Sequence, residues 1–345
     1  MYHATKLNKK MSNSFVSSGA EQKLSGPYAV DAAIRSYITY IKGNPDLGDA
    51  LRYTKIINKI DSEEMRDMFY RRFPLVANCT LDDYIKARKI VHDPTSCMMM
   101  YPFVPRWKIL ADAAIHSFSR FRIDSGIFAL AKISLSNDEI RLMSDEFQRI
   151  TKKPMISVLA TGYYKKKKLR RLTAKLLAME REELSIYEDA DLKKTALEII
   201  EDDDTHISER FYQIFGTKSW DFLAAMIKYW DENLVEISKV PSAEFIRAKC
   251  EKHNEFIVRW LYRRAVFGSD SSILAEVIAK RGTSVMAINK NAIIACIFMA
   301  RFYLPEIKCR VKDFKMIIGT VDSRTMIRVV DELCKETESM NLSNN

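Results

Sequence analysis

The densest group of chemistry-bearing side chains in the sequence is the run Lys165, Lys166, Lys167 and Lys168 with Arg170 and Arg171 behind it. Lys152 and Lys153 precede this run and Lys175 follows it. Cations at that density collect phosphate oxygens. These come from lipid headgroups, where each basic residue near an anionic surface contributes about 1 kcal/mol, or from a nucleic-acid backbone. Tyr163 and Tyr164 stand directly before the run, placed either for the headgroup level or as a packing staple for the next helix. The same lysines also suit an ordinary helix start, with alkyl stems on apolar surface and ammonium heads in water. No RNP, zinc-finger or other recognition motif accompanies them, so nucleic acid is the weaker expectation.

A second group is acidic: Glu201, Asp202, Asp203 and Asp204 are consecutive, and Glu251 lies further on. Carboxylates and carbonyls together suit a hard divalent cation, and the same acids suit the first turn of the following helix. Other chemistry is sparse. The five histidines (His3, His92, His116, His206, His253) lack HExxH spacing, and the six cysteines include no CxxC pair. Neither zinc chemistry nor a disulfide framework is expected, and the thiols read as reduced and cytosolic. There is no GxSxG elbow and no phosphate-cradling glycine loop. Phe215-Gly216-Thr217 and Ile318-Gly319-Thr320 read as helix ends capped by glycine, and no enzyme activity is expected.

Positioning these groups falls to helices. Gly and Pro number 10 and 9 in 345 residues, about half the roughly 12% of average usage. That scarcity disfavours turn-dense sandwiches, propellers and Rossmann-type sheets. Hydrophobic residues make up 47% and charged residues 29%, enough for a core and a solvated outside. The longest apolar run, Ala292 to Ala300, ends at Arg301, well short of the roughly 18 to 20 residues of a membrane span. A net charge of +10 points to anionic partners: nucleic acid, anionic lipid or acidic protein surfaces such as microtubules. Residues 1–25 read as a polar tail, because Lys6, Lys9 and Lys10 lead into Ser and Asn and not into a signal peptide's apolar stretch.

From Tyr28 onward apolar residues recur at spacings of three and four, which predicts amphipathic helices. Val30 to Ile41 marks the first, Asp49 to Ile60 the second. Ser62 N-caps a third with Glu63 and Glu64 in its first turn, ending near Phe73 and Pro74. A fourth follows Thr80, and a fifth is capped by Asp93 with Pro94 at its first position. The order then returns from Arg106, from about Glu188 and from Ser271, which makes internal repetition the most informative feature of the sequence. The expected division is a tail at 1–25 and units at 26–103, 104–185, 186–268 and 269–345.

Four five-helix units of this size resemble the annexin repeat. The third helix resembles the family's in Glu63-Glu64-Met65-Arg66-Asp67-Met68-Phe69-Tyr70-Arg71-Arg72-Phe73 and in Asp138-Glu139-Ile140-Arg141-Leu142-Met143-Ser144-Asp145-Glu146-Phe147. The short fourth resembles it in Thr80 to Lys86, and the fifth in Leu169 to Met179. Loops this divergent look most like those of the alpha-giardins. The resemblance implies an all-α, annexin-like array of four five-helix repeats that binds acidic phospholipid from the cytoplasm as a peripheral protein, with a cytoskeletal partner such as microtubules.

It further implies calcium sites where a Lys-Gly-x-Gly-Thr loop follows the first helix and an acid follows the fourth. The full loop is intact nowhere. Unit one keeps Lys42-Gly43 but Pro45 breaks the pattern, and Asp93 stands late. Unit two has Arg120, Phe121 and Arg122 in the loop and Ala160, Thr161 and Gly162 opposite, so no carboxylate is in place. Unit three offers Asp203 with Glu251. Unit four keeps Gly282 and Thr283 with Asp331 or Glu332 and is the best candidate for one weak calcium site. In unit two the resemblance places Lys165, Lys166, Lys167, Lys168, Arg170 and Arg171 on the membrane-facing side as lipid contacts. A helical-repeat scaffold that binds protein or RNA and ignores lipid is the alternative, and a helix-pair period would favour it.

Overall fold

A computed structural model describes residues 26–43, 48–88, 93–119, 125–161, 167–183, 186–202, 209–251, 256–282, 296, 298–300, 328–329 and 332. The first group of helices is α1 (Pro27–Gly43), α2 (Ala50–Ile57), α3 (Glu63–Ala77), α4 (Leu81–Ala87) and α5 (Asp93–Met100), with a 3-10 turn at Tyr101–Phe103. The second is α6 (Arg106–Ser119), α7 (Ser125–Ser134), α8 (Asn137–Thr151), α9 (Met155–Thr161) and α10 (Lys167–Ala178). The third is α11 (Asp189–Ile200), α12 (Glu209–Thr217), α13 (Trp220–Asn233) with the short α14 (Val235–Ser238), α15 (Ser242–Glu251) and α16 (Phe256–Phe267). A fourth group opens with α17 (Ser271–Gly282). Among the described residues there is no strand, and no helix is long and apolar enough to cross a membrane.

Repetition is visible in packing and in caps. In the first three groups the first helix lies against the third, as α1 on α3, α6 on α8 and α11 on α13. Serine opens each of those third helices: Ser62, Ser136 and Ser219 accept from the backbone N–H of Met65, Glu139 and Phe222. Such caps satisfy one of the orphan donors at a helix start. The third segment of these three groups also closes on a left-handed residue, Asn78 (φ 56°), Lys152 (φ 60°) and Lys239 (φ 66°). The period is therefore five helices and not a helix pair.

Two boundaries differ from expectation. Helix α3 continues through Pro74 to Ala77, because the burial of Phe69 and Phe73 against Tyr37 and Phe103 outweighs the one backbone bond that proline forfeits. Asp93 is the first residue of α5 and not the residue before it. In the first group Tyr37 and Tyr53 donate from the core to the carbonyls of Met99 and Met98 at 2.9 and 2.7 Å, so the buried hydroxyls also fix the fifth helix.

Among the described residues the contacts between groups include a crowded one and an ionic one. Helices α7 and α10 of the second group pack on α16 and α12 of the third. There Gly216 sits in the last turn of α12, where a Cβ would come within 2.8 Å of Met179 Sδ and 3.0 Å of Leu176 Cδ1. This glycine serves close approach between groups, which corrects its reading as a cap. At the other contact Arg66 Nη2 donates to Phe298 O at 2.9 Å, and Arg106 Nη2 reaches Met299 O at 3.1 Å and Asp270 at 3.1 Å.

Candidate functional site

In the first and third groups the first and fourth helices touch through side chains near their C-terminal ends. In the first group Tyr84 of α4 donates to Ile38 O of α1 at 3.3 Å, and Arg88, the C-cap of α4, donates to the Tyr84 hydroxyl at 2.7 Å while lying over its ring. In the third group Lys249 Nζ of α15 donates to Asp202 O, just beyond α11, at 2.9 Å. An ammonium thus bridges the two segments from which a cation site would be built. Glu201 is the C-cap of α11, its N–H bonded to Leu197 O. It caps the helix behind it and does not charge the one ahead.

Residues expected to hold calcium are placed as follows. Gly43 is the exposed last residue of α1, Asp93 opens α5, Glu251 ends α15 and Gly282 ends α17. Glu332 is helical and partly exposed. Asp203, Thr283 and Asp331 lie outside the described residues. Among the described residues no three of His, Cys, Asp and Glu gather as metal ligands.

Of the basic run, Lys165 and Lys166 lie outside the described residues, while Lys167 and Lys168 open α10. Lys152 and Lys153, at the end of α8, and Arg171 are exposed. Lys175 is exposed and pairs with Glu209 at 2.7 Å. Arg170 departs from expectation: it is 6% exposed, and its Nη1 has no hydrogen-bond partner among the described residues. The helical period explains this, since positions 170, 173, 174 and 177 form one inward stripe with Thr173, Ala174 and Leu177. Arg170 faces the core and is not a surface contact.

Sequence reasoning missed two buried lysines in the second group. Lys108 on α6 meets Asp82 of α4 at 3.0 Å, Asp112 at 3.2 Å and Glu146 of α8 at 2.6 Å. Burial opposes its charge, but the three carboxylates outweigh that and raise its pKa. Burial lifts Asp112 to about 6, whereas hydrogen bonds from Arg149 and Lys108 hold Glu146 down at about 2. The i, i+4 spacing of Lys108 and Asp112 was the available signal. Lys132, on α7, donates to the carbonyl oxygen of Met179, and burial first, then the nearby Arg181, lowers its pKa to about 7. Its signal was a lone lysine in the otherwise apolar stretch Ile127 to Leu135, broken besides only by Ser134.

No protein-family model and no curated protein matches the sequence. Solved structures do. Calcium-bound annexin (Sm)1 aligns with TM-score 0.66 and 12% identity over 90% of this chain and 92% of that one. Calcium-bound alpha-1 giardin aligns with TM-score 0.61 and 15% identity over 89% and 99%. Chicken annexin V in complex with Zn2+ aligns with TM-score 0.58 and 16% identity over 90% and 95%. Likeness that spans both chains at such low identity lies in backbone arrangement, and the chain has the all-α repeat fold of the annexins and alpha-giardins.

Proposed function

We propose that the protein is a peripheral membrane-binding protein that attaches to acidic phospholipid from the cytoplasm chiefly through cations, with little dependence on calcium, and that it can link membrane to cytoskeleton. The observation that carries this reading is the pairing of an annexin-type fold with the basic run at the start of α10. Lys167 and Lys168 open that helix, Lys165 and Lys166 precede it, and Lys152, Lys153 and Arg171 are exposed nearby in sequence. The units at 26–103, 104–185, 186–268 and 269–345 are part of the same reading, as is a binding protein and not an enzyme.

Calcium enters in second place. The alpha-1 giardin and annexin (Sm)1 structures are calcium-bound, and Gly282, Thr283 and Asp331 or Glu332 are the best candidate ligands here, with Gly43, Asp93, Asp203 and Glu251 behind them. The ammonium of Lys249 on Asp202 O favours a third unit closed by its own lysine. Affinity at the remaining site is expected at the weak end for calcium modules, about 10⁻⁴ to 10⁻³ M.

Co-sedimentation with phosphatidylserine vesicles, in chelator and in calcium, is the test. Binding is expected in chelator at low salt and should weaken as salt rises, because exposed charges are screened within roughly 8 to 10 Å at physiological ionic strength. Replacing Lys165 to Lys168 by Gln should reduce binding while leaving the helical circular dichroism unchanged. Absence of binding in chelator at low salt, or unchanged binding by the fourfold variant, defeats the cationic reading.

A further inference from the structure

A cavity of about 500 Å³ lies where α7 and the start of α8 meet the start of α13 and the end of α16, lined among others by Lys132, Ser134, Arg181, Trp220 and Arg264. Lys132 is 1% exposed and Arg181 is half-buried. Neither has a carboxylate within salt-bridge distance among the described residues. The Lys132 ammonium has the Met179 carbonyl, and the Arg181 guanidinium has the carbonyls of Lys218 and Phe215. Arg181 and Arg264 both lie over the indole of Trp220, at 3.6 and 4.9 Å from the ring centre. The Ser134 hydroxyl is buried with no hydrogen-bond partner among the described residues. The acids on the lining, Glu182, Glu183 and Asp221, stand at its exposed rim, and Glu182 is engaged by Lys218 at 2.8 Å.

Buried charges are ordinarily paired, because desolvating a lone ion costs several kcal/mol. Here cations adjoin one another around a space and are repelled as well as desolvated. Burial and then Arg181 depress Lys132 against a smaller opposing pull from Glu180, itself paired with Arg141 at 2.7 Å, while burial and then Arg264 depress Arg181. We propose that this cavity is a binding site for a small oxyanion, a phosphate or carboxylate group, with Lys132 and Arg181 as its charge partners, Arg264 beside them and the Ser134 hydroxyl as a neutral donor. The proposal is independent of membrane attachment through the α10 run.

Calorimetric titration of the full chain with inorganic phosphate tests it, comparing wild type with Lys132→Met. Saturable binding by wild type and roughly tenfold or greater weakening in the variant, with unchanged circular dichroism, are expected. Without phosphate the variant should melt no lower than wild type, since an uncharged chain of similar length replaces an unpaired buried ion. A readout that needs no variant is acylation of lysines followed by mass spectrometry, in which phosphate should protect Lys132 at least several-fold more than surface lysines. Phosphatidylserine vesicles distinguish the source of the anion: if Lys132→Met weakens both titrations the group is a lipid headgroup, and if it weakens phosphate alone the ligand is soluble. No saturable phosphate binding by wild type, equal affinity in the variant, or no selective protection of Lys132 would overturn the site.

Discussion

Lys108 and Lys132 are both 1% exposed and belong to neighbouring helices of one repeat, yet their surroundings are opposite. Three carboxylates converge on Lys108 from α4, α6 and α8, tying the first repeat to the second. Lys132 has a carbonyl oxygen and a second cation for company, with the carboxylate of Glu180 only as a weaker influence outside salt-bridge distance. A buried ammonium is thus a brace or a vacancy depending on what faces it. Side-chain type and burial alone do not say which.

The largest effect expected from breaking this contrast is at the brace. Lys108→Met leaves Asp82, Asp112 and Glu146 crowded together without their cation and should lower unfolding free energy by about 3 to 5 kcal/mol, measured by urea denaturation. Next comes Asp112. Its folded pKa of about 6 is raised from 3.8, so the folded state takes up this proton first and stability rises as pH falls from about 6 toward 4. The gain is on the order of 2 kcal/mol. Glu146 is the reverse case, its folded value of about 2 lying below 4.5. Its contribution is present above pH 4.5 and fades as pH falls toward 2. Urea midpoints between pH 7 and 3 should show the first gain in wild type and not in Asp112→Asn.

Lys132 should give the opposite slope at alkaline pH. Its folded pKa is lowered from 10.5 to about 7, so the penalty is fully present below pH 7 and is relieved as pH rises from 7 to 10.5. Wild type should gain stability there relative to Lys132→Met by about 1 to 3 kcal/mol, and equal pH curves would show that the lysine is not strained. The smallest effect concerns the loop bridge. Lys249→Met removes one hydrogen bond and should cost about 0.5 to 1.5 kcal/mol, visible as a small shift in melting temperature.

Helix type and order were legible because apolar spacing and capping residues are local. Ser62, Thr80, Ser136 and Ser219 sit where helices begin and act as caps in the structure. The interfaces between repeats were not legible. Arg170 belonged by sequence to an exposed basic run, and only its phase on α10 turns it inward. Gly216 looked like a helix end, yet its use depends on Met179 from another repeat. The Lys108 carboxylates come from three helices, a convergence that no window of one helix contains.

The contact between Arg66 and Phe298 O joins positions 232 residues apart. During synthesis at about 5 to 20 residues per second, the first repeat must stand for roughly 10 to 50 s with that guanidinium still lacking its carbonyl. Closure of the array is consequently a late event, set by arrival of the last repeat, and the long separation predicts slow docking relative to helix formation. A chain truncated before Phe298 would keep its earlier helices but present a charged seam to chaperones and proteases.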